Sequence, residues 1–178
     1  MEETGFAFWG DFAILGSAAV GAAKTEIYGE QAMKIMVSAC LLGENCKYSG
    51  GNNYNEKVIA FTEGHTVIPV CPEVLGGLSV PRASAELVNG EAVTAAGRSV
   101  DREYRLGAER ALEIARLEQP DVIVLQSRSP SCGVRQIYDG SFTGTKIPGQ
   151  GVFAALAIRE GFRVMDAEEL ETESGRNS

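Results

Sequence analysis

Histidine is nearly missing from this chain, which has one among 178 residues, and cysteine is scarce at four. That combination leaves few standard metal sites open. Structural zinc usually takes paired Cys-x2–4-Cys knuckles, whereas the nearest pair here, Cys40 and Cys46, is separated by five residues. Four cysteines are also too few for a disulfide scaffold, so they read as metal-binding or catalytic thiols in a reducing compartment, and the expected location is the cytoplasm. A cationic leader is lacking: the moderately apolar residues 6–23 follow Glu2 and Glu3 and are interrupted by Asp11, which fails the pattern of a signal peptide. Nor is that stretch expected to span a membrane, because its charge and its Gly, Ser and Ala leave little transfer energy. A basic surplus is missing too. The formal charge of −8 comes from the ends: residues 1–32 hold five acids and one base, residues 166–178 hold another five and one, and the body between them is balanced. This excludes the broad basic surface of a dedicated nucleic-acid binder and points to a small-molecule partner. No repeat and no low-complexity tract interrupts the chain.

What is present suits one globular domain with a sizeable core. Residues 1–32 have no strand-plus-turn logic joining them to the rest, and are expected to be an extension with a loose helix over residues 12–23. The domain proper is expected over residues 33–168, followed by an acidic tail, 169–178. Apolar runs ending at Ala39, Val70 and Leu125, with a last one at Phe162 to Met165, read as buried parallel strands. Between them, a helix is expected over residues 56–62, closed by Glu63-Gly64. Asn89-Gly90 is the pair a two-residue hairpin turn prefers. From Asp101, a good N-cap, the stripe Tyr104, Ala108, Ala111, Leu112 and Ala115 predicts a helix that Pro120 ends. Pro148-Gly149-Gln150-Gly151 leads into another apolar helix, with a Pro near its first turn and free amides suited to an anion or a carbonyl oxygen. The order implies right-handed crossovers and a single Rossmann-like α/β domain, mainly a parallel sheet flanked by helices.

Three thiols share one address in that scheme. Cys40, Cys71 and Cys132 each follow an apolar strand, at the rim where open α/β folds place their ligands. The plain alternative is that they are small buried hydrophobes, as free cysteine often is. The strand-end placement and the adjoining proline and glycine turns favour a shared site. Iron–sulfur ligation tolerates such dispersed thiolates when the fold gathers them.

Three blocks in order carry a resemblance: Ser38-Ala39-Cys40-Leu41-Leu42-Gly43 with Cys46; Cys71-Pro72-Glu73 with Gly76-Gly77 and Pro81-Arg82; and Ser129-Pro130-Ser131-Cys132-Gly133 with Ile137 to Gly140. Together, from about Lys34 to Asp166, they resemble the thiouracil desulfidase family. The resemblance implies an oxygen-sensitive four-iron four-sulfur (4Fe-4S) cluster held by Cys40, Cys71 and Cys132. One iron then has no cysteine ligand and takes the substrate sulfur in a non-redox removal of sulfide from thiouracil. It implies as partners a small thiolated pyrimidine and the iron–sulfur assembly machinery. Gln126 departs from the pattern, since such proteins more often carry lysine there.

The residues agree with that chemistry on their own terms. An iron lacking a thiolate is a Lewis acid, and a thiocarbonyl sulfur is a soft donor suited to it. Glu73, on a fixed turn after Cys71, is placed to activate water as general base; otherwise it is a loop carboxylate or a cap. Ser129 is a candidate to hold the ring or relay a proton, against the commoner role of a serine beside proline, satisfying its own turn. Cys46 is either a fourth ligand or a neighbour, and its mid-loop position favours neighbour. Lys47, Arg82, Arg128 and Arg135 lie in the same loops and are candidates to offset a cluster's negative charge. His65 falls at the opposite rim and receives no ligand role. Two other functions compete with the desulfidase: a cysteine-based sulfur carrier with a low-pKa thiol, and a non-catalytic metal or redox module.

Overall fold

A computed structural model describes residues 32–170 of the chain. The expectations for the N-terminal helix and for most of the acidic tail fall outside the described residues. Within them, the continuous apolar runs form β1 (Lys34–Ser38), β2 (Thr66–Val70), β5 (Val122–Leu125) and β8 (Val164–Asp166). These four strands make one parallel sheet in the order β2-β1-β5-β8. Every residue of β5 is buried, as expected of a strand covered on both faces.

Alternation along the strands divides the core. Met36, Ile123 and Leu125 face α3 (Asp101–Glu118) and α4 (Val152–Arg159), where they pack with Leu112 and Phe153. Ile35, Val37, Val122 and Val124 face the other side with Leu41 and with Val58 of α1 (Glu56–Thr62). The helix over 56–62 is therefore as expected, and Asn55 caps it, its side chain accepting from the amides of Lys57 and Val58. A hairpin, β3 (Ala85–Val88) and β4 (Glu91–Thr94), turns through Asn89 and Gly90, both at positive φ. A smaller one pairs β6 (Gln136–Tyr138) with β7 (Lys146–Pro148). No helix among the described residues is long and apolar enough to cross a membrane.

Two local expectations are corrected. Asp101 is the first residue of α3 and not its cap; Val100 stands at that position because its amide is tied to the carbonyl of Ala92. The Asp101 carboxylate instead accepts from the Ala92 amide and from Arg105. Pro148 belongs to β7, opposite Gln136, and α4 opens at Val152 with Gly151 before it.

The short helix α2 (Pro72–Leu75) lies directly on α3, and two glycines make this approach possible. A Cβ on Gly107 would stand 1.8 Å from the carbonyl oxygen of Pro72, and one on Gly76 would stand 2.0 Å from that of Glu103. Both obstacles are backbone, so neither moves without moving a helix. Overpacking of this kind typically costs ~1–3 kcal/mol. Gly107→Ala is therefore expected to lower the unfolding midpoint by roughly 2–12 °C, at the 2–4 °C per kcal/mol usual for this size. An unchanged midpoint in a thermal melt would contradict the contact.

Candidate active site

All four cysteines line one cavity of about 470 Å³ at the carboxyl rim of the sheet. Glu73, Arg82, Tyr104 and Ser129 line it too. The expected convergence of Cys40, Cys71 and Cys132 is met, although only Cys71 directly follows a strand. Cys71 is the N-cap residue of α2, with Pro72 at the first helical position. Cys40 lies in a 3-10 turn, Ala39–Leu42, that follows β1. Its carbonyl accepts from the amides of Gly43 and Asn53, and the Asn53 side-chain nitrogen stands 3.8 Å from its Sγ.

Cys132 sits deeper in its loop, well beyond Leu125, and the loop is held from two directions. Ser129 Oγ accepts from the amides of Ser131 and Cys132, each at 3.1 Å. The first amides of α4 are taken by carbonyls: Val152 donates to that of Pro130, while Phe153 and Ala154 donate to that of Ser131. The free helix start read from the sequence thus holds a carbonyl oxygen, that of the cysteine loop itself. Gly151 permits this, since a Cβ there would lie 2.4 Å from the Ser131 carbonyl carbon.

Cys46 is drawn into the cavity. Its carbonyl accepts from Arg82 Nη2 at 2.9 Å, a contact between residues far apart in sequence, and from the Cys71 thiol at 3.8 Å. The Cys40 side chain, helped by burial, pushes the Cys46 pKa up to about 11. The Cys46 side chain and then burial raise Cys71. Burial pushes Cys132 up to about 12, partly countered by the Ser38 hydroxyl. Burial thus works against ionisation at Cys46, Cys71 and Cys132 in the chain alone.

Glu73 and Arg82 form a nearly buried ion pair, with side chains 14% and 7% exposed. Arg82 engages a single carboxylate oxygen, Oε2, through Nε at 2.8 Å and Nη2 at 2.7 Å. Glu73 is in the first turn of α2, so it is neither an exposed loop carboxylate nor an N-cap. Lys47 Nζ donates to Asn53 Oδ1 at 3.1 Å, which links a cation through Asn53 to Cys40. Arg128 lines the cavity and pairs with Glu168. Arg135 does not line it; it pairs with Glu169 beside a second groove. His65 accepts from the Met33 amide at the far end of β1. Gln126 is held by its own loop, its side-chain nitrogen donating to the Ser127 carbonyl.

Sequence reasoning missed Ser38, Asn53 and Tyr104. Ser38 was legible as a lone hydroxyl closing an apolar strand. Its Oγ is buried, accepts from the Gln126 amide at 3.0 Å, and lines the cavity beside Cys132, whose pKa it lowers. Tyr104 was legible only as part of a helical stripe.

The donor set fits an iron–sulfur cluster: four soft thiols surround a shared volume. The Ser131 hydroxyl, fully buried next to Cys132, has no hydrogen-bond partner of good geometry, and its influence falls on the Cys132 sulfur. Hydrogen bonds to ligating sulfurs are among the levers by which proteins tune iron–sulfur clusters.

A parallel α/β sheet that brings four thiols, a gripped carboxylate and a serine loop to one rim cavity defines a thiol-lined enzyme site. The 2-thiouracil desulfurase family model matches residues 35–169, and the chain belongs to that family of enzymes. It is 39% identical over 146 residues to the uncharacterized protein YbbK of Bacillus subtilis (strain 168), covering 76% of this chain and 97% of that protein. Its structure is similar to that of the 4Fe-4S-dependent thiouracil desulfidase TudS, with a TM-score of 0.73 at 36% identity. That likeness covers 80% of this chain and 98% of TudS.

Proposed function

We propose that this enzyme removes sulfur, as sulfide, from thiouracil or a related thiolated pyrimidine by hydrolysis without net redox change. Cys40, Cys71 and Cys132 hold a 4Fe-4S cluster in which one iron has no cysteine ligand. The observation that carries this reading is the meeting of those three thiols with Glu73 and Ser129 in one cavity. When bound, the cluster supplies a soft Lewis acid for a thiocarbonyl sulfur.

The remaining work belongs to side chains. Glu73, held through Oε2 by Arg82 at the cavity wall, takes a proton from water. The balance is one water consumed, one carbon–sulfur bond exchanged for a carbon–oxygen bond, and one hydrogen sulfide released. Ser129 Oγ already accepts two amide hydrogens, so what it offers a substrate is its hydroxyl hydrogen, donated to a ring oxygen or nitrogen. Arg82 and the Lys47–Asn53 link bring positive charge towards the thiolates. Thiolates are the ligating form, so loading releases protons, and iron–sulfur assembly machinery is the expected donor. The activity is assigned to residues 33–168, with residues 1–32 an extension and 169–178 an acidic tail.

The test is anaerobic purification followed by assay with 2-thiouracil. A brown protein that releases sulfide and uracil in equal amounts is expected. A colourless protein that forms a persulfide would favour the carrier, and one holding stoichiometric zinc would favour the inert module.

A further inference from the structure

Tyr104 is buried at 2% exposure, yet it lines the active-site cavity. Its ring packs among Ala85, Ala92 and Val100. Packing alone would be served as well by phenylalanine, and a buried phenol usually finds a polar partner. Glu73, Arg82 and Cys132 line the same cavity as this phenol, and after burial the Glu73 charge is the strongest influence on it. The backbone brings the two residues to one wall of that cavity. Tyr104 is in the first turn of α3 and Glu73 in that of α2, and the crossing at Gly76 and Gly107 lets one helix lie against the carbonyls of the other.

Arg82 holds Glu73 by one oxygen only. A carboxylate held at one oxygen still pivots about it, and a second anchor on the same group removes that freedom. We propose that Tyr104 is a positioning residue: its phenol, brought to Glu73 by the glycine crossing of α2 and α3, shares the carboxylate with Arg82 and fixes its orientation in the cavity. This inference rests on the reading of Glu73 as the general base.

Tyr104→Phe removes the hydroxyl and keeps the ring. Hydrogen bonds to charged groups are worth enough that turnover is expected to fall roughly 10–100-fold. KM should stay within about twofold, and iron content and colour should be those of the parent. Acting through Glu73, the change should add little in a Glu73→Gln background, as a double-mutant cycle reads. The same cycle run on unfolding midpoints of the full-length chain without its cluster should show a double variant losing less than the sum of the singles. Full turnover in Tyr104→Phe beside an inactive Glu73→Gln would overturn the proposal while leaving Glu73 as base. Full turnover in Glu73→Gln would overturn the base itself, and additive midpoints would then remove the contact as well. Loss of iron in Tyr104→Phe would overturn the positioning role in favour of one in cluster binding.

Discussion

Glu73→Gln is expected to cut turnover on thiouracil by about 10²–10⁴-fold, the range that a positioned general base supplies, while the protein keeps its iron and its colour. Glutamine is the informative replacement because of Arg82. The ion pair is nearly buried, and removing one partner of such a pair outright typically costs ~3–5 kcal/mol by stranding the other charge. The glutamine amide oxygen can still accept from Arg82 Nε and Nη2, so the shape and one anchor survive while the basicity goes. Arg82 also keeps its bonds to the carbonyls of Cys46 and Ser79, which should hold the loop around the thiols. The measurement is turnover set beside iron content and an unfolding midpoint. A variant that weakens binding or stability yet keeps its turnover number would reduce Glu73 to a substrate contact or a structural pair.

Serine at Cys40, Cys71 or Cys132 is expected to bleach the protein and abolish activity. Each thiol is held by a separate device: the 3-10 turn after β1 for Cys40, the start of α2 for Cys71, and the α4-gripped loop for Cys132. None can swing across to replace another. The variants should nevertheless fold, because a hydroxyl in place of a thiol leaves the backbone devices untouched. Iron and acid-labile sulfide analysis under argon reads the first effect, and circular dichroism the second. Full iron and full colour in any one of the three would remove that residue from the site.

Much of this arrangement was legible in the residues, because the strands are continuous apolar runs and the thiols come shortly after them. The Asn89-Gly90 turn and the helix over 56–62 were equally plain, each written in local chemistry. What stayed hidden depends on contacts between distant segments. Cys46 reads as mid-loop until Arg82 and the Cys71 thiol take its carbonyl and bring it to the cavity wall. Pro148 reads as a helix start until β7 pairs with β6. The amides of α4 were visible as free donors, but their partner, the carbonyl of Ser131, was not. Ser129 satisfies its own turn, the commoner of its two readings, and it does so at the wall of the cavity. One local signal does mark the helix crossing: Gly107 sits inside a helical stripe, where glycine costs about 1 kcal/mol relative to alanine and therefore points to a close approach.

The central claim is that three thiols hold the cluster and leave one iron free, although a fourth thiol stands within reach. The iron content of Cys46→Ala, purified without oxygen beside the parent protein, tests this most directly. The account predicts the same iron and the same colour in both, because Cys40, Cys71 and Cys132 suffice. Loss of iron in Cys46→Ala as severe as in Cys40→Ser would contradict it, and would make the centre a closed four-thiolate cluster.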